Sequence, residues 1–432
     1  MTRDLLLVLG ILLSTASQLR PDNAPVGPGE VCLLIWIGLT LGHQMIQRTA
    51  RFTPAFSRLA IFWLLFAAAQ CIGTLAGYAI ADVHDTSLFM HDVIAYPLLA
   101  AISLLSVAGP DAGSRLHRIA WLLVTIGSAI FALQVAQAWE LVSMGSTDPW
   151  YWDRLRGWSE NPNQLAFLCA ILGLLSLHLA NVAASAPARI AAIATAILPV
   201  YVGRLTKSDT FAIVLIATGP IFIALKLRSW LLYQPKLSLR SASAWIVVLA
   251  LPLLSVSAIP FAYSIAADAE GLAKEMAKGD AQETENTANV RLAAWQQAFD
   301  RGLESGMLGL GPGPHLPIPA SIIAGRNASS GEPKAMEHPE NNGTPNFEAH
   351  NTLLDIFTQG GLLAVLSLSW LVGAAFLLTF RTRLEGLTTL LCGLTIFTIF
   401  HLFVRPPVFW LAIAICLVAV QGRKHSLPRA WS

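Results

Sequence analysis

Charge is what this sequence has least of. Asp, Glu, Lys and Arg make up 12% of 432 residues, against 55% apolar residues and a mean hydropathy of +0.59. A soluble domain carries about twice that charge, roughly 25%, so the chain reads as a polytopic membrane protein. Backbone in hydrocarbon must be paired internally, which leaves helices or closed barrels. Continuous rather than alternating apolar runs select helices. Cysteine is missing where a disulfide framework would need it: Cys32, Cys71, Cys169, Cys392 and Cys416 all lie in apolar runs, none in the one long polar segment. They read as small core residues. A cleavable signal peptide is also missing, because the segment after Thr2-Arg3-Asp4 ends without a small-residue cleavage site and serves as a first span.

Several motifs are absent as well. No phosphate-cradling glycine loop precedes a Lys-Ser/Thr pair, which leaves ATP use unsupported. No Gly-x-Ser-x-Gly elbow suggests a serine hydrolase. Asp268-Ala269-Glu270 is at best a degenerate Asp-x-Asp nucleotide-sugar motif. Asp82-Val83-His84-Asp85 with His91-Asp92 imitates metal ligands, but in a short connection, and no metal is expected. No repeat relates the two halves, which weighs against transporter folds built from repeated halves.

What is present is an all-α pattern of about twelve apolar spans, near 4–20, 29–47, 59–81, 88–109, 117–140, 163–183, 188–203, 209–227, 243–265, 351–380, 386–404 and 407–421. Most approach the roughly 20 residues a membrane helix needs, and the seventh and last are short. This divides the chain into nine spans over 1–265, a large partly helical loop over 266–350, and three spans with a tail over 351–432. With the N-terminus in the cytoplasm, Arg48, Arg51, Arg115, Arg118, Arg228, Arg381, Arg383 and Arg423 fall on the inner face. Asp22, Glu30, Asp82, Asp148 and Glu160 fall on the outer one. The positive-inside rule then makes both termini cytoplasmic and the large loop extracytoplasmic.

Within that loop, Leu292, Trp295, Phe299 and Leu303 form an apolar stripe on a helix expected from about Asn289 to Glu304. The plain reading of Trp295 and Phe299 is packing onto the membrane domain. Gly309-Leu310-Gly311-Pro312-Gly313-Pro314 ends the helix, and the section to Phe347 is too rich in Pro, Gly, Asn and Ser to build a core. Asn327 and Asn342 fit the glycosylation triplet and are assigned nothing.

Four outward stretches carry possible chemistry. In the first, Arg154 and Arg156 precede Asn161-Pro162-Asn163. Two guanidinium forks suit a multiply charged anion, while the asparagines also read simply as helix caps. In the second, Arg204 and Lys207 are either phosphate contacts or snorkelling anchors. In the third, Arg291 opens the loop helix, whose N-terminus would favour anions. The fourth is Glu348-Ala349-His350-Asn351 with Asp355 one turn on. His350 titrates near neutrality and would be kept neutral and basic by a helix start. Asn351 and Asp355 would orient the ring or the substrate.

Together these stretches resemble the O-antigen ligase and polysaccharide polymerase family. The resemblance rests on Arg156-Gly157 with Asn161-Pro162-Asn163 and Leu165-Ala166, on Asn289-Val290-Arg291 with Trp295, on Gly309-Leu310-Gly311, and on His350-Asn351-Thr352-Leu353-Leu354 followed by Gly360-Gly361. It covers most of the last two-thirds of the chain. One departure is Ser208-Asp209, where the family often has Ser-Arg; the Lys-Ser-x-Thr form tilts the reading toward a polymerase.

The resemblance implies a bacterial inner-membrane glycosyltransferase that uses neither metal nor cofactor and has no nucleic-acid partner. It would move a glycan from a polyprenyl-diphosphate donor to a sugar hydroxyl, with other polysaccharide export proteins as possible neighbours. It implies His350 as base, Arg291 in catalysis, and Arg154, Arg156 and Arg204 or Lys207 on the diphosphate. Asn161, Asn163, Asn351 and Asp355 would bind substrate or support structure. A ligase acting on lipid A–core is the alternative within this class, and a transporter or lipid flippase the alternative outside it.

Overall fold

The computed structural model describes residues 1–21, 26–47, 52–83, 85–145, 147–232, 245–246, 248–250, 282–318 and 345–424. The helices are α1 (Thr2–Ser14), α2 (Pro28–Gln47), α3 (Pro54–Ala79), α4 (Thr86–Val107), α5 (Ala112–Ala138), α6 (Pro162–Val182), α7 (Ala186–Leu205), α8 (Asp209–Leu231), α9 (Gln282–Glu304), α10 (Thr352–Arg381), α11 (Glu385–Phe400) and α12 (Pro407–Lys424). Two short antiparallel strands, β1 (Trp150–Tyr151) and β2 (Arg154–Leu155), form a hairpin between α5 and α6. The chain is an all-α polytopic membrane protein.

Among the described residues eight helices, α2 to α8 and α10, are long and apolar enough to cross a bilayer, and α11 and α12 are apolar but shorter. The first expected span is a helix of 13 residues closed by a 3-10 turn at Ser17–Leu19. At 1.5 Å per residue it reaches about 20 Å, short of a hydrocarbon core near 30 Å. Residues 245–246 and 248–250 are helical, and the rest of the ninth expected span lies outside the described residues.

The core gathers around α6 and α12. From Val408 to Val418 every side chain of α12 is buried, and α6 is enclosed almost as fully from Leu165 to Leu175. A helix buried on all sides needs no polar face, which is why both read as unbroken apolar runs. Trp410 anchors α12 against Phe62 and Trp63 of α3, with ring centroids 5.0 and 4.4 Å away.

The helix starts that face the polar loop are built by local capping. Asn161 Oδ1 accepts the N–H of Asn163 at the head of α6, with Pro162 in the first turn. Asn351 Oδ1 accepts the N–H groups of Leu353 and Leu354 at the head of α10.

Helix α10 is broken at Gly360 and Gly361, where the backbone leaves helical geometry. The carbonyls freed there are used at once: Leu310 N–H donates to Thr358 O at 2.7 Å and Gly311 N–H to Gln359 O at 2.8 Å. Leu362 N–H in turn donates to Met307 O at 2.9 Å. The glycine-rich segment after α9 is therefore inserted into the break rather than merely ending the helix. Gly309 and Gly311 take positive φ, and a Cβ on Gly309 would stand 2.4 Å from Gln359 O. Side chains are excluded where backbone meets backbone this closely.

Candidate active site

The heads of α6, α8 and α10, the C-terminus of α7, helix α9 and the α11–α12 connection meet at one end of the bundle. His350 sits among them. Its backbone is left-handed, with φ of +53°, between two N–H groups captured by one carboxylate. Asp355 Oδ1 accepts from Ala349 N at 2.7 Å and Oδ2 from Asn351 N at 3.1 Å. Asp355 thus shapes the turn that presents the ring. The Phe347 ring meets the imidazole edge-on at 5.2 Å, and Phe347 exchanges both backbone hydrogen bonds with Leu316. Burial, the largest influence, pushes the His350 imidazole below the ordinary histidine range; Glu348 pulls upward and Arg291 pushes down again.

Arg291 enters from α9. The helix begins at Gln282, so Arg291 lies in its third turn and not at its N-terminus. The argument from the helix dipole is therefore corrected: polar residues with no apolar stripe still propagate a helix, and the dipole fades within the first turn. Arg291 lies close enough to His350 for its charge to disfavour the imidazolium.

The two arginines of the hairpin diverge. Arg154 Nε donates to Thr206 O at 3.0 Å, and its terminal nitrogen to Asn163 Oδ1 at 3.2 Å. It lies close enough to Arg291 and Asp209 to feel both charges. Arg156 is only 2% exposed. It donates to the carbonyl and carboxylate of Asp148 at 3.0 and 3.3 Å, and stacks over Tyr151. A single anion gripped by both forks is not what this geometry offers. Arg154 is drawn to Thr206 and Asn163, and Arg156 to Asp148 on the other side of the hairpin turn. Lys207 is ion-paired with Asp153, whose carboxyl it holds below the usual range. The Arg204 side chain is exposed.

Two residues of the site escaped the sequence reading. His401 caps α11 and is 7% exposed, with its ring 6.5 Å from that of His350. Its Nε2 faces Thr210 Oγ1 at 3.2 Å, and its carbonyl accepts the Thr352 hydroxyl at 2.6 Å. Arg154 and Arg291 both act on it electrostatically. Arg405 follows four residues later and is paired with Asp92 of α4 at 2.7 Å and with Glu348. The expected eleventh span, 386–404, placed His401 inside the membrane. The available signal was its position beside Arg405 and Pro406-Pro407, at the same end of the bundle as His350.

The stripe on α9 is also displaced. Its buried face is Ala294, Ala298 and Gly302, continued by Ser305 just past the helix, while Leu292 and Phe299 stay 59% and 50% exposed. Phe357 of α10 comes so close that a Cβ on Gly302 would lie 2.1 Å from its ring. Only small residues permit that approach. Trp295 is half-buried against Leu316 and Ala349, and Phe299 reaches Phe357 at 6.0 Å. Asn327 and Asn342 lie outside the described residues.

These elements coincide with a match to a known family. The O-antigen ligase family model matches residues 194–369, which run from α7 through the polar loop and the break in α10. No curated protein matches the chain. Over residues 194–369 the chain is similar to the O-antigen ligase family.

Proposed function

We propose that this end of the bundle transfers a glycan from a polyprenyl-diphosphate donor to a sugar hydroxyl, as a polysaccharide polymerase in a bacterial inner membrane. The observation that carries the reading is the convergence of Arg154, Arg291, His350 and His401 from four separate parts of the chain. Positive charge and a neutral imidazole are what such a transfer needs.

The acceptor hydroxyl gives its proton to the His350 ring as its oxygen bonds to the anomeric carbon. The bond from that carbon to the phosphate oxygen breaks, and the lipid diphosphate leaves with the electron pair. Arg291 and Arg154 stabilise the charge that develops on it, in place of a divalent metal. Arg156 holds the hairpin that presents Arg154, and Asn161 and Asn351 hold the helix starts. Lys207 and Arg204 lie at the exposed edge, where they meet the diphosphate only on approach. The positive-inside pattern supports a periplasmic loop and cytoplasmic termini. The polymerase reading over the ligase one rests on Lys207-Ser208-Asp209-Thr210.

Purified protein in liposomes containing a lipid-linked repeat unit tests this. Lengthened glycan is expected from the wild type, with loss of transfer in His350→Ala and in Arg291→Ala. Full transfer by both variants, stably expressed, would sink the assignment. Transfer of finished polymer to lipid A–core, without lengthening, identifies a ligase. Movement of the donor across the bilayer with no new bond identifies a transporter.

A further inference from the structure

A partly buried charge cluster takes in Glu348, two residues before His350. Arg405, in the α11–α12 connection, places one guanidinium nitrogen 2.7 Å from Asp92 Oδ2 and another against Glu348 Oε1. Asp92 is 0% exposed and also meets His91 Nδ1 at 3.2 Å. Glu348 lies two residues before His350 in the same segment. One cation is thus clamped between two carboxylates, with Tyr96 and Gln359 packed alongside through a 2.6 Å hydrogen bond. A fully buried carboxylate persists only when paired, which accounts for Asp92. It does not account for the choice of Glu348 as the second partner, because Glu348 is at the accessible end of the cluster.

We propose that Arg405 is a positioning residue for His350, and that by pairing with Glu348 it keeps the imidazole neutral and able to accept a proton. The inference rests on the reading of His350 as the base. The groups facing that ring are Arg291 from α9, His401 from the α11–α12 connection, and Glu348 from its own segment; Asp355 of α10 is committed to the neighbouring N–H groups. Of these only Glu348 favours the imidazolium. Left unpaired, its charge would act at full strength in a site of low dielectric. Arg405 offsets it and fixes the position of the carboxylate, while Asp92 keeps Arg405 itself in place. The device links α4, the α11–α12 connection and the end of the polar loop, so the protonation state of His350 depends on all three being docked.

The test is the pH dependence of His350 modification by diethyl pyrocarbonate in the purified full-length protein, read by peptide mass spectrometry. Arg405→Gln is expected to raise the midpoint by about one pH unit, and Glu348→Gln to lower it by a similar amount. Arg405→Gln with Glu348→Gln should return it near the wild-type value, and Arg405→Lys should leave it there. A purely structural role would lower activity at every pH without moving the midpoint. If Arg405→Gln does not fold because Asp92 is left unpaired, Glu348→Gln decides alone: a lowered midpoint supports the proposal and an unchanged one overturns it. The acid limb of glycan transfer is measured in parallel. A shifted His350 titration with an unshifted limb leaves Arg405 in this role and removes His350 as the base. An unchanged titration in both single variants overturns the role of Arg405 whatever the transfer assay gives.

Discussion

Asp355 grips His350 from both sides, one carboxylate oxygen on the N–H before the histidine and the other on the N–H after it. This holds His350 in a left-handed conformation that a residue with a Cβ rarely adopts.

Asp355→Asn replaces one of the two accepting oxygens by an amide NH2, which is turned toward one of the two donors. Transfer should fall about 10- to 100-fold, the equivalent of roughly 1.4–2.8 kcal/mol, while protein is still made and remains monodisperse. Equal activity in the variant would show that the turn keeps its shape without the carboxylate.

The break in α10 makes a different prediction. Gly361 has φ of +61° and ψ of −160°, a conformation open essentially to glycine alone, and a Cβ there would stand 2.1 Å from Met307 O. Gly361→Ala should cost about 3 kcal/mol or more and detach the glycine-rich segment. Gly373→Ala in the same helix, where a Cβ meets nothing within 4 Å, should be neutral or stabilise by up to about 1 kcal/mol. Thermal unfolding of the two variants in detergent separates them.

Hydrophobic run length made the helices legible, because a bilayer demands such runs. The same signal was silent about what happens where a run stops. Gly309-Leu310-Gly311 read as a helix terminator, since nothing local shows that its N–H groups dock onto the carbonyls of Thr358 and Gln359. His350 stood out because polarity ends there abruptly. His401 and Arg405 did not, because Leu402, Phe403 and Val404 between them extend the apolar run across the boundary. Asn161 was legible as a cap from its position before Pro162, whereas Asn351, read as orienting the ring or the substrate, turns out to cap α10. The fate of Arg156 was not, because its partner Asp148 lies across a hairpin whose pairing the sequence does not announce.

Arg154 and Lys207 separate two kinds of cation. Arg154 is partly buried and fixed by Thr206 and Asn163, whereas Lys207 and Asp153 are both well exposed. A pre-fixed donor stabilises developing charge, and its removal typically costs 10²–10³ in rate. Exposed pairs are screened by salt. Arg154→Ala should therefore lower kcat about 100-fold or more at any ionic strength. Lys207→Ala should lower kcat/KM only a few-fold, with the difference vanishing near 1 M salt. Equal losses in both variants would mean that neither is singled out for the diphosphate.

The pH profile follows from the environment of His350. Burial and Arg291 disfavour the imidazolium, so the ring loses its proton at a lower pH than a free histidine, whose pKa is near 6.5. As pH falls through that lowered value the base is protonated and transfer is lost; above it the ring is neutral and transfer is full. The acid limb of kcat/KM should therefore have its midpoint below 6.5. Arg291→Gln removes one of the two influences that lower the pKa, so its limb should move upward even as its maximal rate drops. That upward movement distinguishes an electrostatic partner of His350 from a residue that only binds the donor, for which the height of the profile would change and its midpoint would not.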